Sequence, residues 1–362
     1  MSKDYCLTMD LALGRRLREL PGPILLTGHT GFKGTWLTIL LEQLGVPVVG
    51  FSLAPLENSL FKRADRAGKI NEIFTDICEY PNVEKFVSET EPSIIIHMAA
   101  QPLVLESYKA PRETFLTNVM GTVNILNCAF ACDSVQAVGV VTTDKVYRND
   151  DSGWAFVESD PLSGKDPYSA SKVGAEAAVA TWQNIRKLLG GPKVISLRAG
   201  NVIGGGDWAE DRLLPDLVKG FLGGYQVKMR NSESTRPWQH VLDPLRGYLM
   251  ALEYLLVESE VNAFNFGPDE ASLKVREVVE IAQRTWPTPT NVAFSESNGH
   301  MANEAAALQL NAHLAHSLLG WEMKWTQSEA VAATIHWWDQ VANNGAHARD
   351  ACIQDIERML VK

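Results

Sequence analysis

The chain has 362 residues, 46 % of them hydrophobic and 21 % charged, which excludes intrinsic disorder and leaves room for one large domain or two linked ones. Its 33 Lys and Arg against 43 Asp and Glu give a net charge of −10, which argues against a nucleic-acid surface, because phosphate contacts need a basic face. No apolar run reaches the roughly 18 residues of a membrane span.

Met1–Leu20 carries Asp4, Asp10, Arg15, Arg16, Arg18 and Glu19, so it lacks the apolar stretch of a signal peptide. Residues 1–22 read as a helical extension. The first strand, Pro23–Thr27, runs into Gly28-His29-Thr30-Gly31-Phe32-Lys33-Gly34 and then a helix over Gly34–Leu44. Glycines at this spacing permit a tight turn, let backbone N–H groups approach a pyrophosphate and bring the helix close to the strand. Gly28, Thr30, Gly31, Phe32 and Lys33 are therefore expected to hold a dinucleotide. The second strand, Val46–Phe51, ends Gly50-Phe51-Ser52-Leu53 without the carboxylate that grips a ribose in NAD-selective sites. Lys33, Lys62 and Arg63 are candidate partners for a 2′-phosphate. The expected cofactor is NAD, with NADP left open.

After the third strand, Glu72–Thr75, Asp76 and Ile77 either meet the adenine or Asp76 caps a turn. The helix Asn82–Glu91 and the strand Ser93–Met98 follow, with His97 expected as a satisfied buried imidazole. Next come a helix over Arg112–Ala131, a strand over Val135–Val141, a helix over Pro167–Leu189 and a strand over Lys193–Leu197. The strands are continuous Val/Ile/Leu runs, as a parallel sheet covered on both faces requires, and their alternation with helices predicts a doubly wound α/β fold. Tyr168 and Lys172 stand one helical turn apart on one face. A lysine ammonium beside a tyrosine favours the phenolate, so Tyr168 can accept a hydroxyl proton. Beyond Gly200 the elements shorten, giving an expected dinucleotide-binding domain at 1–200 and a smaller, mixed substrate region at 201–362, with chain crossovers between them. The five cysteines Cys6, Cys78, Cys128, Cys132 and Cys352 are scattered; buried free thiols and a reducing cytoplasm are expected. No metal site is expected.

The glycine turn followed by Pro167-Tyr168-Ser169-Ala170-Ser171-Lys172 resembles the extended short-chain dehydrogenase/reductase superfamily. That resemblance implies a Rossmann-type sheet with a mixed α/β substrate-binding region on its C-terminal side. It also implies cofactor contacts at Ser52, Asp76, Ile77, Ala99, Ala100, Gln101, Asn118, Thr142, Tyr168 and Lys172; Asn118 is alternatively a structural amide inside its helix. The segment Thr142-Thr143-Asp144-Lys145-Val146-Tyr147 is the most discriminating. Sugar-nucleotide 4,6-dehydratases place an acid and a base directly after the threonine, and the Asp-Lys form resembles the subgroup acting on CDP-glucose. GHTGFKGTW at Gly28–Trp36, RAGNVIGGGDW at Arg198–Trp208 and RPWQHV at Arg236–Val241 look like the same subgroup's blocks.

The resemblance implies a catalytic set of Thr143, Asp144, Lys145, Tyr168 and Lys172, with NAD tightly held and regenerated each turnover. The nucleotide-sugar would lie against Asn201, Arg212, Arg236, Trp238 and His240, although Trp238 is alternatively core and Arg198 alternatively a structural ion pair. Tyr147 and Asn149 are candidates to touch the hexose. The subgroup typically carries His-Glu-Ala near Met301–Leu308, where this chain has Asn303-Glu304-Ala305; that histidine's role is absent or falls to His300. Arg148–Glu158 is only loosely similar. Helices Arg112–Ala131 and Pro167–Leu189 form a four-helix interface in the superfamily, which implies a homodimer; alternatively the small residues around Ala175–Ala180 face the sheet. The competing activities are a 4-epimerase or another 4,6-dehydratase acting on a GDP-, UDP- or dTDP-sugar.

Overall fold

A computed structural model describes residues 13–150, 153–229, 231–257, 261–294 and 308–361. Seven parallel strands form its central sheet, in the spatial order Ala263–Phe266, Lys193–Ala199, Ala137–Val141, Ile94–His97, Ile24–Thr27, Val48–Ser52 and Asn71–Phe74. Successive side chains leave opposite faces of each strand. Ile24 and Leu26, Ile94 and Ile96, and Ile195 and Leu197 enter one apolar core. Leu25, Ile95 and Val194 enter the other. The first core is covered by helices Phe32–Gln43, Leu242–Val257, Gln327–Ala342 and Ala348–Val361. Helices Tyr80–Thr90, Gly121–Phe130 and Pro167–Leu189 cover the second. Burial on both faces explains why the strands show no polar alternation.

The strand order reverses between Ile24–Thr27 and Ile94–His97, the topological switch point beyond which ligands bind in open α/β sheets. His97 pins this junction, with Nδ1 2.8 Å from Thr27 Oγ1 and Nε2 3.1 Å from Thr122 Oγ1. Burial pulls its pKa down to about 3, so it is the satisfied neutral imidazole expected.

Two elements differ from the sequence reading. The helix expected over Arg112–Ala131 comprises Pro111–Phe115, a π-turn at Leu116–Met120 and Gly121–Phe130. The seventh strand, Ala263–Phe266, comes from beyond residue 200; it is short and carries Asn265, so no apolar run marked it. Of the N-terminal extension, Arg15–Arg18 is helical, whereas residues 1–12 lie outside the described residues, as do His300 and Asn303-Glu304-Ala305. Among the described residues no helix is long and apolar enough to cross a membrane.

Candidate active site

The glycine turn occupies the switch point. Gly28 has φ 75°, and a Cβ there would stand 2.8 Å from the Ala99 nitrogen. At Gly34 a Cβ would lie 2.1 Å from the Gly28 carbonyl. Both positions therefore demand glycine. Gly31, the N-cap of helix Phe32–Gln43, supplies no side-chain cap, so the first N–H groups and the positive end of the helix dipole remain for an anion. Such a cradle fits a dinucleotide pyrophosphate. Thr30 Oγ1 lies 2.7 Å from Ser52 Oγ and donates to the Leu53 carbonyl, tying the turn to the second strand's end. Ile77 is buried against Gly121, and Asp76 Oδ1 accepts the Cys78 N–H at 2.9 Å, so Asp76 does cap a turn.

The Lys33 Nζ donates to Tyr248 Oη at 2.8 Å. Burial pulls its pKa down to about 7; Lys172 and Arg212 push the same way, and Asp144 opposes them. The other two candidate 2′-phosphate partners are also engaged: Lys62 pairs with Glu57, and the Arg63 guanidinium sits over the Trp208 ring at 5.3 Å.

Asp166 starts the helix Pro167–Leu189 through a capping box with Ser169, with Pro167 in the first turn. This fixes Tyr168 and Lys172 at a well-defined helix start. Thr143 lies close enough to Tyr168 to lower the phenol's pKa, and Lys172 Nζ donates to the Val141 carbonyl at 3.0 Å. Thr143 caps a short 3₁₀ turn, Asp144–Val146, accepting the Lys145 N–H and donating to Asp144 Oδ1 at 2.9 Å. Asp144 is 1 % exposed, and its Oδ2 has no hydrogen-bond partner among the described residues. Burial raises its pKa, with Lys145, Thr143 and Arg236 opposing. The fold thus brings together the phenol, the threonine hydroxyl, a buried acid and two lysines.

The ionisation of this group differs from the simple expectation. Burial pushes the Tyr168 phenol up to about 12, Asp144 adds to that, and Thr143 and Arg212 oppose it. Burial pulls Lys172 down to about 8 against the pull of Glu176. Burial therefore keeps Tyr168 protonated at neutral pH, and additional positive charge is needed to make it a base.

Several expected contacts are redirected. Asn118 uses Oδ1 for the Gln101 N–H and Nδ2 for the Gln101 carbonyl and Ser171 Oγ, which makes it the structural amide and accounts for its place in the π-turn. Gln101 spends its side chain on Leu103 and Thr114, while the Ala99 N–H donates to Thr27. No contact distinguishes neighbouring Ala100, which is half-buried. Thr142 turns its hydroxyl to Glu176 at 2.5 Å, away from the cleft. Tyr147 is buried, stacks on Phe156 and donates to Asn265, so it does not face a hexose. Arg198 is the structural ion pair, bidentate to Glu176.

Trp238 and His240 do not line the cleft either. Trp238 belongs to the apolar core and donates to the Leu273 carbonyl. His240 is 0 % exposed between Trp36 and Trp325. His240 lies in the strand Gln239–His240, which pairs with Val202–Ile203, and Trp238 directly precedes it. Arg236 lies close enough to Asp144 to lower its pKa, and Arg212, paired with Asp207 at 2.9 Å, acts likewise on Tyr168. Asn201 is half-buried at the start of Val202–Ile203. Asn149 and Thr235 line a cavity of about 230 Å³ with Trp154, Ser272 and Gln309. The sequence reading missed Tyr248 and Glu176. Glu176 follows Lys172 by one more helical turn, a spacing that would have revealed it.

A glycine turn at a switch point, with a buried tyrosine and lysine beside it, defines a dinucleotide-dependent enzyme fold. Residues 24–267 match the NAD dependent epimerase/dehydratase family, and the chain belongs to it. Over 323 residues it is 39 % identical to the CDP-glucose 4,6-dehydratase of Salmonella typhimurium, covering 87 % of this chain and 89 % of that protein. Among solved structures, an NAD dependent NDP-hexosamine 5,6-dehydratase involved in tunicamycin biosynthesis is 25 % identical, with a TM-score of 0.72 over 88 % of this chain and 98 % of that one. The Streptomyces venezuelae dTDP-glucose 4,6-dehydratase shares the fold at 22 % identity, with a TM-score of 0.75 over 90 % of this chain and 99 % of that one.

Proposed function

We propose that this protein is a CDP-glucose 4,6-dehydratase that converts CDP-glucose to CDP-4-keto-6-deoxyglucose and water with bound NAD. The observation that carries the reading is the buried Asp144 with Lys145 beside it, directly after the threonine that lies beside Tyr168. A 4-epimerase needs the tyrosine alone; a dehydratase needs the second acid–base set as well. The 39 % identity to the Salmonella enzyme supports CDP as the nucleotide.

Bound NAD would supply hydride acceptance at C4 and hydride donation at C6, so that the cofactor would be regenerated each turnover. Tyr168, with Thr143 beside it, removes the C4 hydroxyl proton. The resulting 4-keto group acidifies C5, and Lys145 takes the C5 proton. Asp144, whose pKa burial raises, gives its proton to the departing C6 hydroxyl, which leaves as water. Lys145 then returns a proton to C5, and the proton gained by Tyr168 restores the one lost by Asp144. Lys172 adds positive charge at the Tyr168 end of the site. Gly28, Gly31, the first turn of helix Phe32–Gln43, Thr30 and Ser52 hold the dinucleotide. Arg212, Arg236 and Asn201 face the substrate diphosphate. The protein works as a homodimer in a reducing cytoplasm. Exposed Phe115, Leu116 and Met120 support the dimer, and the free thiols Cys78, Cys128, Cys132 and Cys352 support the compartment.

The test is incubation with CDP-, dTDP-, UDP- and GDP-glucose, followed by mass spectrometry. Loss of water from CDP-glucose is expected; turnover confined to another nucleotide, or isomerisation without loss of water, overturns the reading.

A further inference from the structure

Behind the reacting side chains lies a buried ionic knot. Arg198 Nε and Nη2 donate to the two carboxylate oxygens of Glu176 at 2.9 and 2.7 Å. Glu176 also accepts the hydroxyls of Thr142 at 2.5 Å and Ser196 at 2.8 Å. The remaining Arg198 nitrogen, Nη1, donates to Tyr147 Oη at 2.8 Å and to the Glu158 carbonyl at 3.0 Å. Tyr147 passes its own proton to Asn265 Oδ1 at 2.7 Å, on the strand registered beside Arg198.

Each partner adjoins a reacting group. Glu176 is one helical turn beyond Lys172, Thr142 precedes Thr143, and Tyr147 closes the turn that carries Asp144 and Lys145. One guanidinium therefore grips both the helix bearing Tyr168 and the turn bearing the acid and base. The knot's hydrogen bonds run among its own members, so its part is geometric.

We infer that Arg198 and Glu176 are positioning residues that hold the Asp144–Lys145 turn in register with the Tyr168–Lys172 helix, and that Tyr147 is the strap acting on the turn. The inference rests on the dehydratase reading: oxidation at C4 uses the helix, whereas elimination across C5 and C6 uses the turn. Loosening the strap should slow elimination and spare oxidation, because misplacing a reacting group by about 1 Å costs on the order of 100-fold in rate.

Deleting either charge of the knot leaves its partner buried and uncompensated, so the informative variant is Tyr147→Phe, which keeps the ring stacked on Phe156. Hydrogen exchange, single-turnover cofactor reduction and water release are measured on the full-length holoenzyme. Faster amide exchange across 144–147 is expected, with 168–172 unchanged. Water release should fall about tenfold while cofactor reduction with CDP-glucose changes less than about twofold. Arg198→Lys, which keeps charge beside Glu176 but shortens the reach to Tyr147, should give the same split. Unchanged exchange at 144–147, unchanged water release, or equal losses in both steps overturns the inference. If the wild type releases no water from CDP-glucose, the dehydratase reading fails, and the exchange arm still decides whether Tyr147 holds the turn.

Discussion

Asp144 and Lys145 are neighbours in sequence, yet the fold treats them oppositely: the carboxyl is buried and the lysine half-buried. Burial disfavours the charged form of an acid, so Asp144 reaches the cleft able to donate a proton. With Lys145 proposed as the C5 base, Lys145→Ala should abolish exchange of deuterium from C5-labelled CDP-glucose into water. Exchange at the wild-type rate, followed by mass spectrometry, would exclude Lys145 as the base. Thr143 and Asp144 were legible only through the resemblance of their segment to the dehydratase pattern, whereas Tyr168 and Lys172 were legible in sequence because short spacing on one helix is enough to juxtapose them. His240 and Trp238 were misread for the opposite reason. They neighbour Arg236 in sequence, but side-chain direction along an extended segment is decided by strand pairing.

At the scale of elements, the strand–turn–helix that opens the fold is governed by clearance. A Cβ at Gly34 would meet the Gly28 carbonyl at 2.1 Å, a backbone atom that cannot yield cheaply. Gly34→Ala should therefore force the helix away from the turn, lowering stability by about 1–3 kcal/mol and weakening NAD binding at least tenfold in a fluorescence titration. Wild-type affinity in that variant would show that the close approach is dispensable. The parallel strands and their helices were readable as apolar runs alternating with amphipathic segments. The π-turn was not, because it follows from the contacts of Asn118 with Gln101 and Ser171, distant residues that propensity does not see. Ala263–Phe266 escaped for a similar reason: its place beside Arg198 is set by pairing across the chain.

Across the whole molecule, two features extend beyond the site. Phe115 and Met120 are 42 % and 45 % exposed on the helix–π-turn segment beside the long Tyr168 helix. Ala175 and Ala178, by contrast, are buried against the rest of the fold, so the proposed homodimer is tested on the large apolar residues rather than on the alanines. Met120→Glu should reduce the mass measured by light scattering from that of two copies to that of one; a mass that does not change on this substitution overturns the proposed interface.

The second feature is Asp355 of the C-terminal helix Ala348–Val361, whose carboxyl burial pushes up to about 7 against the opposing Arg358. His240 Nε2 approaches it to 3.9 Å, but this is no ion pair, since burial holds that imidazole neutral with its pKa down at about 3. Between the ordinary aspartate range and about 7, the folded protein binds the extra proton, so stability falls as pH rises through that window. Asp355→Asn removes the dependence. Its melting temperature should exceed the parent's at alkaline pH, with the gap closing toward pH ~4; a gap that does not change with pH would show that Asp355 titrates normally.

The net charge of −10 says little about the ligand, because the cations that matter converge only in three dimensions: Lys33, Lys172 and Arg212 act on one another or on Tyr168, and Arg236 acts on Asp144. By itself the sequence determined the α/β alternation, the glycine turn and the tyrosine–lysine pair, since each depends on local periodicity, clearance or spacing. Only the tertiary structure decided which of these groups is charged, where Lys33 points, why His240 is core, and how Arg198 ties helix to turn. Those outcomes depend on desolvation and on partners distant in the chain, and the density of packing around a buried group is a property that no single segment carries.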